Sequence, residues 1–309
     1  MARREPDGAR QAPPLSCRAA RGIVSRMSYI VRKKSLACCL VFLAGAVLCA
    51  QGAKSAFAGG PFVFVAYDAK TEAELGAFPP SCAVYADMVQ ALRAAGARAA
   101  VFKYFLDQSK DGPGDRLLAE SFNGLDVFLQ ARIDDGEKKP NELDERWAIA
   151  LDKAPKRLLS GKSGWLPLPV LAQGARGIGF VDLRDARGAP MYERYRGKVY
   201  PSLVLSVMRY LFPGLELQGE ALRFGGRSVS LNEYGEAAVS YPARDDLRCL
   251  SYVDVVRKRV PTADLAGKIV VVGYEGPAVD MLETPIGKLS AHRVFCYFLA
   301  SLYGQLSGR

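Results

Sequence analysis

Histidine is almost missing from this chain: His292 is the only one in 309 residues. A histidine-based metal site cannot be assembled from one imidazole, and a position near the start of the last helix points to a solvated or capping role. Neither G-x-S-x-G nor G-x-x-x-x-G-K-[ST] occurs, and Gly174, Gly177 and Gly179 have the wrong spacing for a dinucleotide fingerprint. No C-x-x-C is written either. Of the seven cysteines, Cys17, Cys38, Cys39 and Cys49 lie near the N-terminus, leaving Cys82, Cys249 and Cys296 far apart in the body. That excludes a zinc ribbon or a disulfide scaffold and leaves three buried, reduced cysteines as the expectation. Carboxylates are plentiful, but nothing singles out a glycosidase-like pair. The chain therefore reads as non-enzymatic, with no cofactor.

A basic excess is also missing once the N-terminus is set aside. Residues 1–58 hold ten Lys or Arg against two acidic residues, or +8 of the total +10, so the remainder carries 32 basic and 30 acidic side chains. Nucleic acid is a poor partner for such a body. Within the first 58 residues, Arg32-Lys33-Lys34 precedes the apolar run Leu36 to Ala50, and Ala56-Phe57-Ala58 offers small residues at alternate positions. This is the layout of an export signal with a cleavage site after Ala58, starting at Met1 or at Met27. The alternative is an uncleaved anchor, although the apolar core is short for a membrane span. Either way, residues 59–309 are expected to work outside the cytoplasm, in the periplasm where the inner membrane is the anchor.

The body alternates strand and helix signals. Pro61 to Tyr67 reads as a buried strand; Ser81 can cap a helix carrying Val84, Met88, Leu92 and Ala95, stopped by Gly96. Ala99 to Phe102 and Asp126 to Leu129 read as further strands, with a short helix from Asp115 to Ser121 between them. Gly177 to Val181 is a strand candidate, Pro201 opens a helix through Phe212, and Ser228–Leu231 and Ala237–Tyr241 are weaker hairpin or edge strands. Ile269 to Val272 is a β-branched run of the kind found in buried parallel strands. The last helix runs from Ser290 with Phe295, Phe298, Leu299 and Leu302 on one stripe. Strand–helix–strand order argues for right-handed crossovers, hence a single α/β domain of three layers, α/β/α, around a mostly parallel sheet. Phe62, Phe64, Tyr67, Phe102, Tyr104 and Phe105 fit the packing of that sheet.

Several short motifs recur in a recognisable order. Phe64-Val-Ala-Tyr-Asp68, Glu74-Leu-Gly-Ala-Phe-Pro79 and the helix from Tyr85 to Gly96 come first. Leu166-Pro-Leu-Pro169, Gly179-Phe-Val-Asp182, Gly188 and Tyr200-Pro-Ser-Leu203 follow, and Gly267-Lys-Ile-Val-Val-Val-Gly273 with Asp280, Thr284 and Pro285 closes the series. Together they resemble the CHASE domain of type two, a sensor module associated with cyclases and histidine kinases. The resemblance implies a domain outside the cytoplasmic membrane, followed by membrane helices, that controls a cyclase, kinase or phosphodiesterase within. Here the sequence stops at Arg309, where such helices would begin. Signalling is therefore expected to run through a separate membrane protein, a homodimer docked on one, or an uncleaved leader. A scaffold protein or a truncated remnant of a membrane sensor is the alternative.

Departures from the family pattern fall on charged positions. Phe102-Lys103 stands where the family has Phe-Asp, Ser81-Cys82 where an arginine follows the first proline turn, and Leu289-Ser-Ala-His-Arg-Val-Phe295 where it has Pro-Gly-Val-Glu-x-His-Ala. The turn from Asp185 to Met191 keeps Gly188 but has no closing arginine. A kept fold with an altered or lost ligand preference is implied. Ligands of open parallel sheets bind beyond the carboxyl ends of the strands, where Asp68, Lys103, Asp182 and Glu275 are expected, with Asp280 and Thr284 on the next loop. These six form the candidate ligand site; an Asp68–Lys103 ion pair with Asp280 as a cap is the structural alternative.

Overall fold

The structure, a computed structural model, describes residues 60–136, 142–151, 154–155 and 157–308. The expected leader and both candidate start sites lie outside the described residues, as do residues 137–141 of the charged loop. Phe62–Tyr67 forms strand β1, and Asp68 caps the short helix α1, Ala69–Leu75. Helix α2, Cys82–Ala94, follows, and Gly96 at φ 73° turns the chain into β2, Ala99–Phe102. Helix α3 starts earlier than its apolar pattern suggests, spanning Gly112–Ser121, because the Asp111 side chain accepts from Gly114 N–H and Pro113 fits the first turn. Strand β3 covers Asp126–Ile133. Two short strands, β4 (Ser160–Gly161) and β5 (Gly164–Trp165), then helix α4 (Pro169–Gly174), lead to β6, Gly177–Phe180.

Beyond β6 come β7 (Gly188–Pro190), β8 (Tyr192–Tyr195), β9 (Lys198–Pro201) and helix α5 (Leu203–Leu211). Pro201, expected to open that helix, instead ends β9 opposite Tyr192. Ser202 is the cap, its Oγ accepting from Leu205 N–H at 3.1 Å, because a serine hydroxyl satisfies an orphan helix donor and a proline ring does not. Strands β10 (Glu216–Gln218), β11 (Ala221–Phe224) and β12 (Arg227–Ser230) make an antiparallel meander, and β13 (Glu236–Ala238) pairs with β7. The chain then returns through β14 (Cys249–Ser251), helix α6 (Tyr252–Val256) and β15 (Ile269–Tyr274). A hairpin of β16 (Met281–Thr284) and β17 (Gly287–Ser290) delivers it to α7, Ala291–Ser307.

The central sheet has 7 strands in the order β14-β1-β15-β2-β3, with β6 paired to β3. Those pairings are all parallel; only β5, meeting the end of β3, is antiparallel. Strand period two divides the sheet between two cores. Ala99, Val101, Ile269 and Val271 face α5 and α7 with Phe62 and Phe64. Ala100, Phe102, Val270 and Val272 face α2, α3 and α6 with Val65 and Tyr67. Both faces are apolar and covered by helices, as a parallel sheet requires. This is the three-layer α/β/α fold with a mostly parallel sheet. The late strand β15 is inserted between β1 and β2, which moves Asp68 away from Lys103.

Cys82 and Cys296 are buried, Cys249 is partly so, and all three are free thiols. Among the described residues no helix is long and apolar enough to cross a membrane, and no group of three His, Cys, Asp or Glu could hold a metal ion.

Candidate functional site

A crevice of about 480 Å³ opens at the carboxyl ends of β2, β3, β6 and β15. Its volume lies within the range of small-molecule sites, roughly 300–1,000 Å³. Each wall follows from a strand running out. After Phe102, β2 delivers Lys103, Tyr104 and Phe105; β3 offers Gln130 and Arg132 on the face already used by Phe128. β6 delivers Val181, Asp182 and Leu183, the loop after β15 brings Ala278, Val279 and Asp280, and the first turn of α7 contributes Ala291 and His292. Phe78 and Pro79 close the side between α1 and α2.

Lys103 is the deepest charge. The residue is 8% exposed, and its Nζ donates to Gln130 Oε1 at 3.0 Å. Its ammonium lies 5.6 Å from the Phe295 ring centre. Burial lowers its pKa to about 8, despite the opposing pull of Asp182. Behind the polar wall, Asp182 accepts from Ile133 N–H at 2.9 Å and stands 3.8 Å from Arg132 Nε. Burial raises the Asp182 pKa, and Glu193 on β8 lies close enough for each acid to act on the other. Glu193 is fully buried, with its pKa pushed well up by burial and then by Asp182. Neither Glu193 carboxyl oxygen has a hydrogen-bond partner among the described residues, so burial beside Asp182 favours the protonated, neutral form.

His292 departs from its expected solvated role. Its Nδ1 is buried without a hydrogen-bond partner, and burial, with Lys103 second, lowers its pKa to about 3. The imidazole is therefore neutral at pH 7. Gly273 makes room for it, since a Cβ there would sit 2.9 Å from His292 Nδ1. Also in the lining, the Phe78 ring stacks on Tyr274 with centroids 4.2 Å apart, and Tyr104 donates to Gly273 O at 2.6 Å.

Of the six residues expected at the site, Lys103, Asp182 and Asp280 line the crevice. The other three have partners elsewhere. Asp68 Oδ1 accepts from Thr71 N–H at 2.9 Å and from the Ser251 hydroxyl at 2.8 Å, so it caps α1 and ties β14 to β1. Glu275 accepts from the Ser290 hydroxyl and from Arg293 Nε at 3.3 Å. Thr284 donates to Gly287 O within the β16–β17 turn. The alternative Asp68–Lys103 ion pair does not form. Gln130 and Arg132 escape the sequence reading because β3 continues past its apolar run, and polar residues there look like loop. Their even spacing from Phe128 is the signal that could have found them.

The carboxyl pair makes stability depend on pH with a definite sign. An acid whose folded pKa is raised gives its full stabilisation below the unfolded value near 4.5, and loses it as pH rises through the folded value. Glu193→Gln keeps a neutral donor beside Asp182. The variant is expected to match the native protein at about pH 4 and to exceed it increasingly towards pH 8 in urea unfolding midpoints. A constant difference across that range would show that folding does not raise the Glu193 pKa.

The chain is thus an α/β/α domain with a mixed-charge crevice at the carboxyl ends of its parallel strands. A sequence model described as CHASE2 domain matches residues 44–307, and the chain belongs to that family. CHASE2 domains are extracellular sensory domains. Comparison with curated proteins and with solved structures gives no match.

Proposed function

We propose that this chain is an exported, non-catalytic sensor that binds a small molecule in the strand-end crevice and reports occupancy to a membrane-bound signalling protein. The observation that carries the reading is Lys103: a buried ammonium with a single side-chain acceptor, held in an open cavity where a ligand can complete its shell. Helix α7 supports transmission. Its first turn lines the crevice, while Tyr303 near its other end meets Phe62 at the start of β1 with ring centroids 5.7 Å apart. One rigid element thus crosses the sheet from carboxyl to amino edge.

Thermal unfolding of the purified protein against a panel of neutral, cationic and anionic metabolites tests the binding. A ligand at 100 times its Kd stabilises by about 2.7 kcal/mol. The expected result is a shift lost in Lys103→Met and kept in Asp68→Ala, whose own cost is about 1 kcal/mol from the missing α1 cap. No shift across the panel would transfer the reading to a protein partner recognised directly.

A further inference from the structure

The crevice is lined by both polar and aromatic side chains, and the two sets together select a ligand class. Lys103 Nζ has three donors, of which the described side chains engage one, at Gln130. No carboxylate among the described residues lies within ion-pair distance of it; Asp182 is engaged by Ile133 and Arg132. Arg132 adds a second cation at the mouth, two residues beyond Gln130 on the same strand face. The first turn of α7 also lines the cavity with Ala291 and His292, while its Ala291 and Arg293 N–H groups already donate to Asp280 O and Ser290 Oγ. His292 contributes no charge of its own.

The aromatic lining is Phe78 stacked on Tyr274, with Tyr104 beside Phe78 at 5.3 Å between centroids, and Phe105. Such a wall suits a flat or apolar body. Asp182 and the exposed rim residue Asp280 oppose a second negative charge, which disfavours a phosphate dianion. A cationic ligand would meet Lys103 at the floor.

Resting on the crevice being the ligand site, we infer that it takes a small organic monoanion, a carboxylate directed at Lys103 with an apolar or aromatic body against the Phe78–Tyr274 wall. A matched set tests this on the whole protein labelled with [13Cε]lysine: benzoate, benzamide, benzylamine and phenyl phosphate, followed by NMR and calorimetry. Lys103→Met assigns the resonance. Benzoate is expected to shift the Lys103 signal and to bind at least tenfold more tightly than benzamide or benzylamine, and more tightly than phenyl phosphate. Its affinity should fall as pH rises through 8. Arg132→Gln, at an exposed position, should weaken benzoate several-fold without altering the fold.

Equal binding of benzoate and benzamide, or benzoate binding that survives Lys103→Met, would overturn the anion assignment. So would tighter binding of phenyl phosphate or benzylamine. If a neutral or cationic panel member perturbs Lys103 while benzoate does not, the crevice remains the ligand site and only the anion assignment falls. If nothing of any charge perturbs Lys103, both fall.

Discussion

Lys103→Met is expected to make the protein more stable at pH 7, by about 2 kcal/mol. The Lys103 pKa drops from 10.5 to about 8 because burial penalises the charged form. At about 1.4 kcal/mol per unit, holding that charge costs the fold on the order of 3 kcal/mol. Methionine fills similar volume without charge, and leaving Gln130 Oε1 without its donor offsets about 1 kcal/mol. The sign with pH follows from linkage. Below pH 8 both states are charged and the full penalty applies; between about 8 and 10.5 the unfolded chain binds more protons, so native stability climbs with pH. The advantage of the variant should shrink through that window and reverse before its upper end, where only the lost Gln130 partner remains. Urea midpoints of both proteins at pH 7 and pH 10 check this. A less stable Met variant at pH 7 would mean that the ammonium is already well satisfied in the free protein.

The second large effect is structural. Gly179→Ala is expected to destabilise the domain by at least about 3 kcal/mol, near the upper end of overpacking costs. A Cβ at Gly179 would lie 2.3 Å from Leu203 N, 2.4 Å from Leu203 Cα and 2.4 Å from Ser202 C. These are backbone atoms at the start of α5, so no rotamer change relieves the clash. The helix must move off β6, disturbing the Phe180–Ser202 bridge. Gly177→Ala provides the comparison, because its Cβ would meet the Phe128 ring, 2.7 Å away at its nearest atom, and a side chain can yield. Denaturant unfolding of the two variants should rank Gly179→Ala well below Gly177→Ala. Equal losses would place the tight contact elsewhere.

The same positions show how far sequence reading reaches. The runs Phe62–Tyr67, Ala99–Phe102 and Ile269–Tyr274 lack polar alternation, and that alone specifies strands apolar on both faces between helices. The stripe Phe295, Phe298, Leu299, Leu302 is likewise a local pattern, and all four are buried. Lys103 and Asp182 could be foreseen at strand ends because polar residues directly after apolar runs emerge at the carboxyl edge.

Local pattern did not reveal which strand ends would be neighbours. Asp68 follows β1 as directly as Lys103 follows β2, yet β15 lies between those strands and β14 lies beside β1, so Asp68 meets Ser251 instead. Glu193 and His292 carried no signal at all, since an acid in a short strand and an imidazole in a first helical turn are ordinarily solvated. Their burial depends on β8 standing behind Asp182 and on Gly273 leaving space on β15. Sequence by itself determined the elements, the three layers and the edge of the sheet where polar groups emerge, because side-chain period and β-branching act within a few residues. The tertiary structure alone decided the membership of the crevice and the protonation of its groups, because strand order, burial and charge proximity are set by contacts between segments far apart in the chain.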